Sequence, residues 1–508
     1  MNWFDSWGLT LAVFVPVVGM VLVLVIPRAD EKMQKVVALL ATLATFGVGV
    51  GIVARFDYDH TSRLQFSVNK SWIDVIHSRY HIGVDGIGLP LLLLSIVISL
   101  LCVVYSWDHF PEPHNPKAFL ALLLLLETGM NGTFAAQDLI LFFIFFELVL
   151  LPMFFMIGVW GGPNREYASI KFFLFTLFGS ALMLLGFLAL FFLAPHHTFD
   201  IPALARQHGD GIVRSTQNLI FAGLFLGFAI KVPMFPFHTW LPDAHTEAPT
   251  VGSVLLAAVL LKLGTYGFVR IALPVLPRAA HDWAPWIGLL AVIGIIYGAL
   301  CCLAQRDMKR LIAFSSVAHM GFVMLGIATL TTFGINAAIF GMVAHGLITG
   351  MLFFLAGSVQ ERFHTREMSR LGGLLTQAPR LGWILGFCAM ASLGLPGLAG
   401  FWGEFPAILS AYSPAAGISD VTFRVYMVVA AVGTVLAAGY LLWMLQKVAF
   451  GKVQAEWEHA DIQDVHAPEW IAWTPLLVLI VALGVYPNLI FRVTDGAVTH
   501  SVARMLGA

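Results

Sequence analysis

Two lysines and three glutamates sit where an apolar chain should hold no charge. Lys231 lies in FAIKVPMFPF and Lys262 in VLLAAVLLKLGTYGF; Glu147 is the only charge between Asp138 and Arg165, Glu127 stands in ALLLLLETGMNG and Glu404 in GFWGEF. A charged side chain at the centre of a bilayer costs at least ~2.5–3.5 kcal/mol on insertion scales, so such groups face a bundle interior or a watery cavity and mark ion or proton routes. An ammonium in apolar surroundings is relieved by a nearby carboxylate, and moving the carboxylate then changes the ammonium's hold on its proton. The expectation is that Glu147 modulates Lys231, and that Lys262 and then Glu404 continue a proton path.

Imidazoles titrate near neutral pH and can relay protons. His319, in SSVAHMGF, and His345, in GMVAHGLITG, fall between Lys262 and Glu404 in chain order and are read as relay members. Alone, a histidine in an apolar run is more often a satisfied core residue; their joint place in the chain is what reads as a relay. His238 and His245 flank the end of the segment that carries Lys231, and Asp243 and Glu247 are helix-end or entry-site carboxylates. Glu127 is a secondary station or a structural ion-pair member. A charge that crosses the membrane works against ~2.3 kcal/mol per 100 mV, and nothing in this chain supplies the drive.

The elements that hold these residues are membrane helices. Of 508 residues, 59% are hydrophobic and 11% charged, with a mean hydropathy of +0.85, which a soluble chain could not carry without exposing large apolar patches. This is a polytopic membrane protein. The net charge of −1 leaves no basic surface for nucleic acid. The four cysteines, Cys102, Cys301, Cys302 and Cys388, lie in apolar runs without metal-ligand spacing and are expected to be buried. The N-terminus lacks a basic region and a cleavage site, so it reads as a retained first span.

Apolar runs of about 20 residues place about fourteen helices at 7–26, 34–54, 83–106, 117–136, 138–160, 168–193, 217–240, 250–273, 285–305, 309–330, 333–358, 380–412, 424–449 and 471–491. The fold class is all-α, one membrane domain over 1–508. Within it, 1–116 holds the first three spans, 117–273 and 285–449 two repeats, and 450–508 a loop and the last span. Connectors after odd-numbered spans hold tight basic clusters: Arg28, Lys32 and Lys35; Arg306, Lys309 and Arg310; Arg362, Arg366, Arg370 and Arg380. The positive-inside rule puts them in the cytoplasm and both termini outside, although the opposite 55–82 loop also carries Arg55, Arg63, Lys70 and Arg79. With loops and helix ends assigned, Lys231 and Lys262 alone remain among the lysines and arginines.

Two spans look broken. Pro233 and Pro236 interrupt 217–240, depriving the carbonyls of Ala229 and Val232 of helical partners; Pro396 interrupts 380–412 and frees the carbonyl of Ser392. Unpaired backbone at membrane depth survives only against protein or trapped water. Broken helices at matching places, here the seventh and twelfth spans, point to inverted five-helix repeats of spans four to eight and nine to thirteen.

The run FAIKVPMFPFHTWLPDAHTEAP, the helix VLLAAVLLKLGTYGFVR, FFELVLLPMF and SSVAHMGF resemble the antiporter-like subunits of respiratory complex I, NADH-quinone oxidoreductase, over nearly the whole chain. Multisubunit cation/proton antiporters share the motif around Lys231. Glutamate at 404, where two complex I paralogues carry lysine, and an end soon after the fourteenth span favour the paralogue called subunit M. The resemblance implies that Glu147 and Lys231 are an ion pair, Lys262 the central proton carrier, Glu404 the exit residue, and His319 and His345 members of a central polar axis. It implies no cofactor in this chain, with NADH, FMN, iron–sulfur clusters and quinone held by partner subunits. The partners implied are the sister L-like and N-like subunits, other complex I membrane subunits and lipid, in a bacterial plasma membrane. The alternative reading is an Mrp-type sodium or potassium/proton antiporter subunit, against which Glu404 is the main feature. A structural scaffold would leave the buried lysines and glutamates unexplained.

Overall fold

The computed structural model describes residues 3–506. The chain opens with α1 (Trp3–Val25) and α2 (Glu31–Arg55), then a two-stranded antiparallel hairpin, β1 (Gln65–Ile73) and β2 (Ser78–Val84). Next come α3 (Gly88–Tyr105), α4 (Pro116–Ala135), α5 (Leu139–Leu148), α6 (Leu150–Trp160), α7 (Arg165–Leu193), α8 (Ile201–Gln207), α9 (Arg214–Lys231) and α10 (Trp240–Glu247). One continuous helical rod then runs over α11 (Thr250–Leu255), α12 (Leu261–Gly267) and α13 (Leu273–Val275), joined by two π turns at Leu256–Leu260 and Phe268–Ala272. The second half comprises α14 (Pro277–Leu303), α15 (Met308–Ala328), α16 (Thr332–Phe363), α17 (Leu374–Gln377), α18 (Pro379–Ser392), α19 (Ala399–Ser410), α20 (Asp420–Val448), α21 (Ala467–Val485) and α22 (Asn488–Leu506).

Among the described residues, twelve helices are long and apolar enough to span a membrane. The two expected spans missing from that set are the broken seventh and twelfth. The seventh is α9 and α10 on either side of 232–239, the twelfth α18 and α19 on either side of 393–398. Helix starts follow the local chemistry. Asp30, Asn115, Asp138 and Asp307 each accept an amide of the following first turn, and Pro116, Pro277 and Pro379 open helices where a missing N–H costs nothing. Pro152 cannot donate to the carbonyl of Leu148, and the regular hydrogen bonding of the fifth span is interrupted at Val149, two residues after Glu147.

The flanking helices α1, α2, α7, α20 and α21 leave large apolar faces uncovered, whereas the 250–275 rod, α15 and α16 are almost wholly buried. Lys262, His319 and His345 lie on these three innermost helices. Glycines allow the close approaches that assemble them. A Cβ on Gly264 would fall 2.7 Å from the carbonyl oxygen of Phe228, so the rod lies flush against α9, and a Cβ on Gly403 would fall 2.5 Å from the Cα of Gly341, so α19 lies flush against α16.

One end of the bundle carries the basic connectors and the other the hairpin. The hairpin occupies the 55–82 connector, expected as loop, and is tied down. Asp138 accepts from Ser78 Oγ and the Arg79 amide, His81 Nδ1 lies 2.6 Å from Asp200 Oδ2, and Gln137 donates to the carbonyl of Gly83. The last expected span, 471–491, ends at Val485 because Pro487 stops it. The chain then turns into α22, whose Thr494 and Asp495 bond Asn336 of α16.

Candidate functional site

The site is a line of polar groups through the middle of the bundle. Lys262 begins it, fully buried in the first turn of α12. The π turn before it displaces the helical hydrogen bonds by one residue, and the Lys262 ammonium donates to the carbonyl of Ala257 at 2.6 Å, five residues back. The same Nζ lies 2.7 Å from His345 Nδ1. A lysine that donates there requires His345 Nδ1 unprotonated, with the ring proton on Nε2.

His345 Nε2 has no hydrogen-bond partner among the described residues. It borders a cavity of about 20 Å³ whose walls include His319, Thr349, Ser392 and Glu404, room for about one water molecule. The two imidazole centroids are 6.0 Å apart. His319 spends both nitrogens: Nδ1 lies 2.5 Å from Glu404 Oε1, and Nε2 lies 3.2 Å from Ser392 Oγ and 3.1 Å from Tyr440 Oη. Ser392 ends α18 just before the break, and Gly403 seats Glu404 against α16. Lys262, His345, His319 and Glu404 therefore form one sequence of neighbours, with a gap of one water between the histidines.

The other expected pair is not closed. Lys231 and Glu147 make no ion pair within 4 Å; Lys231 Nζ sits 4.8 Å from the ring centroid of Phe146 and has no hydrogen-bond partner. Glu147 is half-buried, with Ser180 of α7 beside it and Lys231 within electrostatic reach. The break after Lys231 is also less open than the prolines imply. The carbonyl of Ala229 accepts from the Met234 amide, and that of Ile230 from the Trp240 indole, each at 2.9 Å.

The secondary residues separate into groups. His245 is buried face to face on Phe353, its ring nitrogens unpartnered, within electrostatic reach of Lys262. His238 instead packs between Phe235 and Tyr297. Asp243 is held by Lys171 at 2.7 Å and Arg310 at 3.4 Å, a helix-end ion pair rather than a free entry carboxylate. Glu247 accepts from the Asn164 amide and borders a cavity of about 440 Å³ at the basic end. Glu127 is fully buried and neither oxygen has a partner.

Lys231 and Lys262 are not the only cations inside. Lys309, counted to a loop in the sequence, is 2% exposed and donates to the carbonyl of Ala248 on the wall of the 440 Å³ cavity. Arg366, within electrostatic reach of it, bonds Asp307 and the carbonyl of Thr246. Arg270 pairs with Asp85 and Arg362 with Glu469 in equally enclosed surroundings. The signal for Lys309 was present: Asp307 as helix cap places it in the first turn of α15.

Residues 136–439 match the family described as NADH:quinone oxidoreductase/Mrp antiporter, transmembrane. The chain is similar to NADH-quinone oxidoreductase subunit M of Rickettsia prowazekii (strain Madrid E), 39% identical over 488 residues and 96% of each chain. It is 40% identical to that of Rhodobacter capsulatus over 508 residues, 97% of this chain and 96% of the other. Among solved structures it superposes on a chain of respiratory complex I from Thermus thermophilus with bound NADH, with a TM-score of 0.87, 29% identity and coverage of 98% and 99%. A chain of the Mrp complex from Dietzia sp. DQ12-45-1b superposes with a TM-score of 0.84 over 100% of both chains at 19% identity, a likeness of fold.

Proposed function

Because the chain belongs to the NADH:quinone oxidoreductase/Mrp antiporter transmembrane family, we propose that it is the antiporter-like M subunit of an NADH-quinone oxidoreductase and conducts protons through its buried polar line. The observation that carries this reading is the run from Lys262 to His345 at 2.7 Å and from His319 to Glu404 at 2.5 Å, bridged by space for one water. Protons enter at the basic end through the cavity beside Lys309 and Glu247, reach Lys262 by way of His245, and pass through His345 and His319 to Glu404. Each step needs a donor and an acceptor within hydrogen-bond reach or one water apart. Residues 117–273 supply the lysine half of the line and 285–449 the histidine and glutamate half, as two repeats.

The drive comes from elsewhere in the complex. NADH, FMN, iron–sulfur clusters and quinone belong to partner subunits, and this chain acts as a translocase without a redox centre. Glu147 and Lys231 are the coupling pair, open in this state and closed in another, so that the charge of one alters the proton affinity of the next. Glu147 supports the placement among L-like and N-like sister subunits, because a half-buried carboxylate at mid-membrane needs a protein neighbour rather than lipid. The complex lies in the plasma membrane of a bacterium with both termini outside. The same chemistry would serve an Mrp-type exchanger, but 39% identity to a subunit M in an alignment covering 96% of the chain favours complex I.

The test uses the intact complex in inverted membrane vesicles. Lys262→Ala and Glu147→Ala are expected to abolish NADH-driven acidification while the complex still assembles. Undiminished acidification per NADH oxidised in both would overturn the proposal, and copurification with small antiporter subunits instead of flavin and iron–sulfur subunits would favour the exchanger.

A further inference from the structure

Toward the hairpin end, the helix that carries Lys262 runs on to a second charged cluster. Arg270 lies eight residues beyond the lysine, roughly 12 Å along the axis, inside the second π turn. Its guanidinium donates to both oxygens of Asp85, at 2.8 Å for Oδ2, and its Nε donates to Tyr266 Oη at 3.0 Å. Tyr266 Oη in turn donates to the carbonyl of Phe134 at 3.0 Å. Asp85 is fixed from its other side, accepting the amides of Ile87 and Gly88 at 3.0 Å each. The Arg270 and Asp85 side chains are only 12% and 7% exposed.

A cavity of about 120 Å³ leads in from the hairpin end, past Ser62, His500 and Arg504, and reaches Arg270 and Asp85. That is space for several waters. Beyond the pair, Tyr266 and Thr265 separate it along the helix from Lys262, and Thr265 Oγ1 bonds the carbonyl of Lys262. Gly86 meets the carbonyl oxygen of Val493 so closely that a Cβ there would lie 2.0 Å from it, which holds α22 against the mouth.

A guanidinium keeps its proton, offers no acceptor and so cannot pass a proton on. Its charge is balanced by Asp85, whose oxygens already accept from Arg270, Ile87 and Gly88, so the pair leaves no free acceptor for an arriving proton. A buried ion pair is a poor way merely to add stability, since well-packed apolar residues do as well or better. We propose that Arg270 and Asp85, backed by Tyr266, form a seal that keeps Lys262 out of contact with water at the hairpin end. The lysine's proton then cannot leave by the short way along its own helix and must pass to His345. This rests on the proposed role of Lys262 as a proton carrier.

The experiment uses the intact complex in liposomes with entrapped pyranine, an imposed potential and no NADH, so that only passive proton flux is read. Arg270→Gln and Asp85→Asn are each expected to raise the flux per assembled complex by about tenfold, equivalent to about 1.4 kcal/mol off the barrier. Tyr266→Phe, which keeps the ion pair, is expected to give a smaller rise and serves if the charge variants do not assemble. Adding Lys262→Ala is expected to return the flux to the wild-type level. Wild-type flux in every assembled single variant would mean that the pair only braces the fold, and a leak that persists without Lys262 would mean that it guards another route; either overturns the seal. Loss of the carrier role is read separately, from NADH-driven acidification in Lys262→Ala alone.

Discussion

Lys262 Nζ stands 2.7 Å from His345 Nδ1, a contact between residues 83 positions apart that joins the two halves of the chain at their centre. A hydrogen bond to a charged group contributes ~1.5–3 kcal/mol, so His345→Ala is expected to weaken Lys262's hold on its proton by roughly tenfold or more. NADH-driven acidification should fall while NADH oxidation by the assembled complex continues, and His345→Gln, which restores an acceptor but cannot relay, should not recover acidification. Measuring proton uptake against NADH oxidised in the same vesicles separates the two.

Lys231 is held over Phe146 instead of against Glu147. A cation–π contact of this kind contributes about 0.5–2 kcal/mol, which Phe146→Leu removes. The coupling between residues 147 and 231, read from Glu147→Gln, Lys231→Ala and the double variant, should be larger in the Phe146→Leu background. Equal coupling in both backgrounds would show that the aromatic ring does not compete for the lysine.

At Gly403 a side chain has nowhere to go, since its Cβ would meet the Cα of Gly341 at 2.5 Å. Gly403→Ala is expected to cost ~1–3 kcal/mol by overpacking and to draw Glu404 away from His319. Gly386→Ala in α18, with nothing within 4 Å of its Cβ, is the control. The thermal midpoint of the purified complex should drop for the first and hold or rise for the second.

Outside the membrane, the Asp200 carboxyl sits below its ordinary range. Burial alone would raise it, but the hydrogen bond with His81 and the Ala203 amide outweigh burial. A depressed carboxyl contributes stability that is complete above its unfolded value of about 3.9 and is lost as pH falls through the lower folded value. The hairpin should therefore stay docked through mildly acidic conditions and release only below about pH 4. His81→Ala should move the release upward, as followed by hydrogen exchange over residues 65–84.

Much of the membrane architecture is legible in the sequence because a charge in an apolar run stands out. Lys231, Lys262 and Glu404 are visible for that reason, and both broken spans because Pro233, Pro236 and Pro396 stand in mid-span. What the sequence hides depends on contacts between distant segments. Lys309 looks like a loop cation, and only the distant backbone at Ala248, to which it donates, makes it internal. Arg270 reads as a helix-end cation because Asp85, its partner, lies 185 residues earlier. Opposite charge predicts a Glu147–Lys231 contact, whereas the structure places the neighbouring Phe146 against the lysine. The hairpin is hidden because its strands are largely polar, and α22 because its apolar residues are too sparse to mark a span.

The two π turns around α12 have a rotational meaning. Tightening a π turn to an ordinary helix without removing a residue turns everything beyond it by about 100°. One such turn lies at Leu256–Leu260 and the other at Phe268–Ala272, so the lysine-bearing segment is offset in angle from the rod at both of its ends. The angle at which the segment from Leu261 to Gly267 presents its lysine is therefore set by two wide turns, and straightening either one would point Lys262 away from His345.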